Sequence, residues 1–146
     1  MIAQRKPSFS FLNFILLVGL AFSFSQCTSG PDPDALRKRA EFLHDSIMPL
    51  SGELMRLKRT CQDEAMALDS IQPALATEFR EKATNLETAY DAMMDWMHHY
   101  AVPDPGTPKE EAVAYFEDEI RAITAVAKQY ESSIKEAKEL IQKHEN

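Results

Sequence analysis

Three methionines, two histidines and the chain's only tryptophan fall within eight consecutive residues, Met93-Met94-Asp95-Trp96-Met97-His98-His99-Tyr100. Thioether sulfur and imidazole nitrogen are the donors that suit Cu(I). A second pair, His44 and Met48, lies four residues apart upstream, a spacing that places both on one helix face. If the two stretches run antiparallel about a turn centred near residue 71, facing positions sum to about 142. His44 then falls near His98, and Met48 near Met94. Read this way, the candidate metal ligands are His44, Met48, Met94, Met97 and His98, with Trp96 adding a cation–π contact.

The competing reading of the same residues is packing, with no cofactor. Met93 and Met97 sit on an apolar seam, and methionine is a flexible filler of core gaps. Trp96 flanks that seam and is expected to cover the end of a bundle with its N–H near solvent. His98 and His99 fall in a last helical turn, where positive charge is favoured. The two readings differ in space. Copper requires sulfurs and imidazole nitrogens to converge, whereas packing turns Met93 and Met97 inward and the histidine rings outward.

Nothing else in the chain has catalytic spacing. There is no HExxH, nucleophile elbow, glycine-rich phosphate loop or CxxC, and Gly52 is the only one of four glycines inside an expected helix. Ferritin-like metal centres need Glu-x-x-His on facing helices. The nearest approach, Asp95-Trp96-Met97-His98, has Asp in the first place and no second copy. The chain is therefore expected not to be an enzyme, and no catalytic residues are assigned.

The elements that must position these groups are long helices. Apolar residues at Leu36, Ala40, Leu43, Ile47, Leu50, Leu54, Leu57, Cys61, Ala65 and Leu68 alternate steps of four and three almost throughout, the pattern of a coiled-coil seam. The same alternation runs through Phe79, Ala83, Leu86, Tyr90, Met93, Met97 and Tyr100. A third stripe is Val113, Phe116, Ile120, Ile123, Ala127, Tyr130, Ile134, Ala137 and Ile141. The spacing predicts helices over about 33–69, 73–100 and 107–144. Asp32-Pro33 offers an N-cap followed by proline at the first helical position. Thr107-Pro108-Lys109-Glu110 reads as a capping box. Pro49 inside the first stripe should kink that helix near Ile47 and Met48, since it removes one helical hydrogen bond. Short connections make an all-α, antiparallel three-helix bundle with coiled-coil-like heptad packing the expected fold.

The bundle follows a signal segment. Arg5 and Lys6 precede an uncharged apolar run over 9–24, too short for the roughly 20 residues of a spanning helix. Phe24-Ser25-Gln26-Cys27 resembles the lipobox of bacterial lipoproteins, with Phe where Leu is usual and Gln where a small residue is usual. The resemblance implies cleavage before Cys27 and acylation of its sulfur. The expected organisation is a lipoprotein signal peptide over 1–26, a tether over 27–32 and the bundle over 33–146.

Removing Arg5 and Lys6 leaves 14 basic against 23 acidic residues, a net charge of −9. That balance excludes a nucleic-acid partner, which needs a basic face. It also excludes electrostatic adhesion to anionic lipid, so the acylated cysteine must hold the membrane. With Cys27 acylated, Cys61 is the one remaining thiol, on an apolar stripe where a small core residue is expected.

Two stretches carry a further resemblance, His44-Asp45-Ser46-Ile47-Met48-Pro49-Leu50-Ser51-Gly52-Glu53-Leu54-Met55-Arg56-Leu57-Lys58-Arg59 and Tyr90-Asp91-Ala92-Met93-Met94-Asp95-Trp96-Met97. They resemble small Bacteroidota lipoproteins often labelled "viral A-type inclusion protein", a label that reflects coiled-coil composition. Leu50-Ser51 departs from that family's pattern, which has Lys-Met. The resemblance implies a helical lipoprotein and transfers no activity. The functional expectation is a membrane-anchored envelope protein with a structural or protein–protein interaction role, and Cu(I) binding is the alternative.

Overall fold

Asp32 caps the first described helix from an extended conformation, φ −86°, ψ 118°. Its carboxylate accepts the Asp34 N–H at 3.3 Å and its carbonyl accepts the Leu36 N–H at 3.1 Å, which satisfies donors that a first helical turn leaves open. The computed structural model describes residues 30–145. The signal-peptide assignment, Cys27 and the first tether residues lie outside them. Among the described residues the chain is helical, with α1 at Pro33–Ile47, α2 at Ser51–Leu68, α3 at Pro73–His99 and α4 at Lys109–Glu145. The helices pack on one another as an all-α bundle, as expected.

The helix expected over 33–69 is interrupted. A 3-10 turn at Met48–Leu50 separates α1 from α2. Pro49 has no N–H to give the preceding turn, and the chain tightens locally. It does not leave the helical region, since Met48 and Ser51 both keep αR dihedrals. α4 starts at Lys109, and the Pro108 carbonyl accepts the Ala112 N–H at 3.0 Å, so the helix begins slightly later than the capping box implies.

Side-chain pairs between helices set direction. Lys58 pairs with Glu87 and Asp69 with Arg80, so α2 and α3 run antiparallel. Lys82 meets Glu136 at 3.0 Å, so α3 and α4 are antiparallel as well. Glu53 with Lys138 at 2.8 Å and Glu64 with His144 at 3.6 Å make α2 and α4 parallel. These exposed and half-exposed pairs are worth at most about 1 kcal/mol each. Burial of the apolar faces holds the fold.

Most of the first stripe lies in the core, and Leu36, Leu43 and Leu50 are half-buried. Ala40, Ile47, Leu54, Leu57, Cys61, Ala65 and Leu68 are buried. In α3 and α4 the buried face is wider than the expected seam. It takes in Ala76, Ala89, Trp96, Ala112, Val126, Ser133 and Leu140, while Tyr90, Met97, Val113 and Ile120 are half-buried. Each of these helices packs against more than one neighbour, and a strict two-position seam serves only one. Ser133 is admitted because its hydroxyl donates to the Asn85 carbonyl at 3.4 Å.

Cys61 is fully buried in this core, and burial pushes its thiol up from 9.0 to about 11. The unfolded chain's thiol therefore ionises first. Stability is unaffected below pH 9 and falls between pH 9 and about 11 as the unfolded state releases its proton. The thiolate is the reactive form. A thiol-titrating reagent at pH 8 is expected to leave Cys61 unmodified in the folded protein and to react with it fully once denaturant is added. Rapid labelling without denaturant would contradict this placement.

Candidate functional site

The residues singled out for chemistry meet where α3 ends beside α1. α1 lies along α4 at this end of the bundle, and α3 reaches it through its last turn. Glu41, His44 and Asp45 from α1 and Trp96, Met97 and Tyr100 from the α3 end line an open groove of about 330 Å³.

His44 is held from three sides. Its Nδ1 lies 3.0 Å from the Asp45 carboxylate, and its Nε2 lies 3.2 Å from the Met97 sulfur. Its ring stacks on Trp96 with centroids 5.6 Å apart and planes inclined by 27°. A carboxylate only accepts, so Nδ1 carries a proton toward Asp45. In the neutral ring this leaves the Nε2 lone pair facing the thioether. Two donors then face each other, and a proton or a soft cation between them relieves the repulsion.

Trp96 also stacks with Tyr100, at 4.8 Å and 30°. Tyr100 lies 6.4 Å from Tyr115, which packs edge-on against Phe116 at 5.2 Å. The Tyr115 hydroxyl accepts the Ala101 N–H at 2.8 Å and so secures the chain just beyond α3. The run of aromatic rings ties α1, α3 and α4 together here. Burial, and then the neighbouring Glu41 carboxylate, pushes Tyr100 up to about 12, so it is a neutral phenol across the physiological range.

The expectation that the Trp96 N–H lies near solvent is corrected by the structure. Trp96 is 9% exposed, and its Nε1 is buried with no hydrogen-bond acceptor among the described residues. The wide buried face of α3 draws the ring inward. The Tyr100 hydroxyl is also buried without a partner. Arg37 Nε completes the set, since the Glu41 carboxylate oxygen at 3.6 Å is beyond hydrogen-bond length. Each buried donor left unmatched costs about 1–3 kcal/mol, and two of the three, on Trp96 and Tyr100, belong to residues that line this groove.

The other residues of the expected metal set stand apart from this groove's lining. The His98 Nδ1 donates to the Met94 carbonyl at 2.8 Å, and the His99 Nδ1 donates to the Asp95 carbonyl at 2.7 Å. Both rings are exposed and fold back onto carbonyls of the preceding turn of their own helix. The Met48 sulfur accepts the Ser51 hydroxyl at 3.8 Å. The Met48 N–H donates to the His44 carbonyl, so Met48 keeps helical register with His44, and its side chain packs against the core instead of lining the groove. Met94 is half-buried and packs against the core, and Met93 is fully buried. Among the described residues no group of three or more His, Cys, Asp or Glu side chains is placed to hold a metal ion. The register argument puts His44 near His98, the observed contact is with its neighbour Met97, and side-chain direction separates the rest. Of the three unmatched donors only the Trp96 N–H was considered from the sequence, and it was expected near solvent, since spacing carries no signal for an absent acceptor.

No family model matches this chain, and no curated protein or solved structure matches it.

Proposed function

We propose that the protein is a non-enzymatic lipoprotein of the bacterial cell envelope, tethered through an acylated Cys27, whose bundle binds a protein partner at the groove between α1 and α3. The observation that carries the binding reading is the pair of buried donors, Trp96 Nε1 and Tyr100 Oη, left without acceptors beside an open cleft. A partner that brings carbonyl or carboxylate oxygens to the groove reaches them once the Trp96 and Tyr100 rings turn outward, and then satisfies both and offsets their desolvation. A buried aromatic residue at such a cleft is the residue type that carries most binding energy at interfaces. The tether rests on the apolar run over 9–24 and its junction with Cys27. The likeness of the His44–Arg59 and Tyr90–Met97 stretches to helical Bacteroidota lipoproteins supports it. No described helix is long and apolar enough to cross a membrane, so the anchor is assigned to the lipid.

The test is site-specific photo-crosslinking of the full chain in living bacteria. Asp45 is 77% exposed at the groove edge, and Lys135 on α4 is 74% exposed. A photoreactive residue at position 45 is expected to give a discrete adduct, and one at position 135 is not. Trp96→Phe keeps an aromatic ring in the stack and removes the N–H, so it should reduce the adduct severalfold. Equal adducts from both positions, or an adduct indifferent to Trp96→Phe, would exclude the groove as the binding site.

A further inference from the structure

We infer that His44 Nε2 and Met97 Sδ form a soft-metal site that takes Cu(I). The two atoms lie 3.2 Å apart, on different helices, in the lining of one open groove. Asp45 fixes the proton on Nδ1, the outer carboxylate arrangement that orients metal-ligating imidazoles and raises their basicity. The nitrogen left with its lone pair is the one that faces sulfur.

The spacing fits a bent chelate. Typical first-row bonds are about 2.0 Å to imidazole nitrogen and 2.3 Å to sulfur, so a tetrahedral angle puts the donors roughly 3.5 Å apart and a linear arrangement about 4.3 Å apart. The observed separation is a few tenths of an ångström short of the bent value. A half-buried thioether with three rotatable bonds opens that far without disturbing the backbone. Nitrogen and thioether sulfur select Cu(I) over the hard divalent ions, which take carboxylate, carbonyl and water oxygens. Trp96 stacks on His44 with planes inclined by 27°, so a cation at Nε2 binds close to an indole that can report on it. The groove opens outward from the pair, which leaves coordination positions for solvent or for a protein that donates or accepts the ion. Cu(I) enters and leaves as the same oxidation state, so no electron acceptor is required.

This site is narrower than the five-residue set read from the sequence. Met48, Met94 and His98 are outside it, and the partner reading does not depend on it. The experiment is an anaerobic Cu(I) titration of the detergent-purified full chain against a chromogenic Cu(I) chelator, with emission of the single tryptophan recorded in parallel. One equivalent is expected to bind and to quench Trp96. Removing a ligand costs at least the 10–100-fold typical of losing an outer-shell partner, so His44→Ala and Met97→Leu should each weaken binding by about tenfold or more. Met94→Leu and His98→Ala should leave affinity and quenching unchanged. Circular dichroism confirms that each variant is folded. No one-to-one binding, binding indifferent to His44→Ala and Met97→Leu, or losses that follow Met94 and His98 instead would each overturn the site. In the first case the short Nε2–Sδ contact is a hydrogen bond of protonated His44 and nothing more. Photo-crosslinking from position 45 in copper-depleted cells separates this result from the fate of the partner reading.

Discussion

Phe79→Ala is expected to lower the thermal midpoint of the protein by about 12–20 °C. Phe79 is fully buried on α3, where its ring meets His144 of α4 edge-on at 5.6 Å. Truncating a buried phenylalanine removes transfer free energy and leaves a cavity, together about 3–5 kcal/mol. For a bundle of this size each kcal/mol shifts the midpoint by roughly 4 °C. That loss is a large fraction of the 5–15 kcal/mol that ordinary domains hold. Phe42→Ala is the matched control, because Phe42 is 61% exposed and only the Arg39 guanidinium lies over it, at 6.0 Å. It should move the midpoint by no more than about 2 °C, as surface changes stay within roughly 0.5 kcal/mol. Thermal melts by circular dichroism check both. Equal shifts in the two variants would mean that the packing described for α3 and α4 is wrong.

Cys27→Ser should abolish acylation and alter processing of the N-terminus. Acyl chains contribute about 0.8 kcal/mol per buried methylene, and more than one chain is needed for stable anchoring. A serine at this position offers no thioether for the lipid, and the 26 residues before it should remain attached. Metabolic labelling with a clickable fatty acid, followed by intact mass measurement, reads both effects. Wild-type chain should carry label and begin at Cys27, while the variant should carry none and be longer. Membrane partition alone is a poorer readout, since an uncleaved apolar run over 9–24 could itself hold the variant at the membrane. An unlabelled wild-type chain, or one that begins at another residue, would remove the tether from the account.

The fold was largely legible because a repeating seam is a strong signal. The stripe from Leu54 to Leu68 is buried in register, and Ala40 and Ile47 keep the same phase before the 3-10 turn at Met48–Leu50, with Leu43 and Leu50 half-buried. The seams of α3 and α4 were read too narrowly. Periodicity finds one line of contact, and it does not tell how many neighbours a helix touches. Ala89, Trp96, Val126 and Ser133 entered the core for that reason. The site was legible only in its register. Antiparallel pairing about a turn near residue 71 puts His44 near His98, and the observed contact is with its neighbour Met97. Which way each side chain turns is decided by tertiary packing and by local hydrogen bonds. The His98 ring folds back onto the Met94 carbonyl of its own helix, and Met48 packs against the core. The buried N–H of Trp96 is a property of the packed end of the bundle, and no spacing rule announces it.

The central claim is that a partner covers the groove between α1 and α3, and Trp96 can report on this directly because it is the chain's only tryptophan. Full chain labelled with 5-fluorotryptophan gives one fluorine resonance, from the ring at the groove. On addition of unlabelled envelope extract from the same bacterium, that resonance should shift or broaden. Excess unlabelled wild-type protein should reverse the change, and excess Trp96→Phe protein should not. A resonance that stays unchanged while extract is in excess, or one restored equally by both competitors, would contradict the claim.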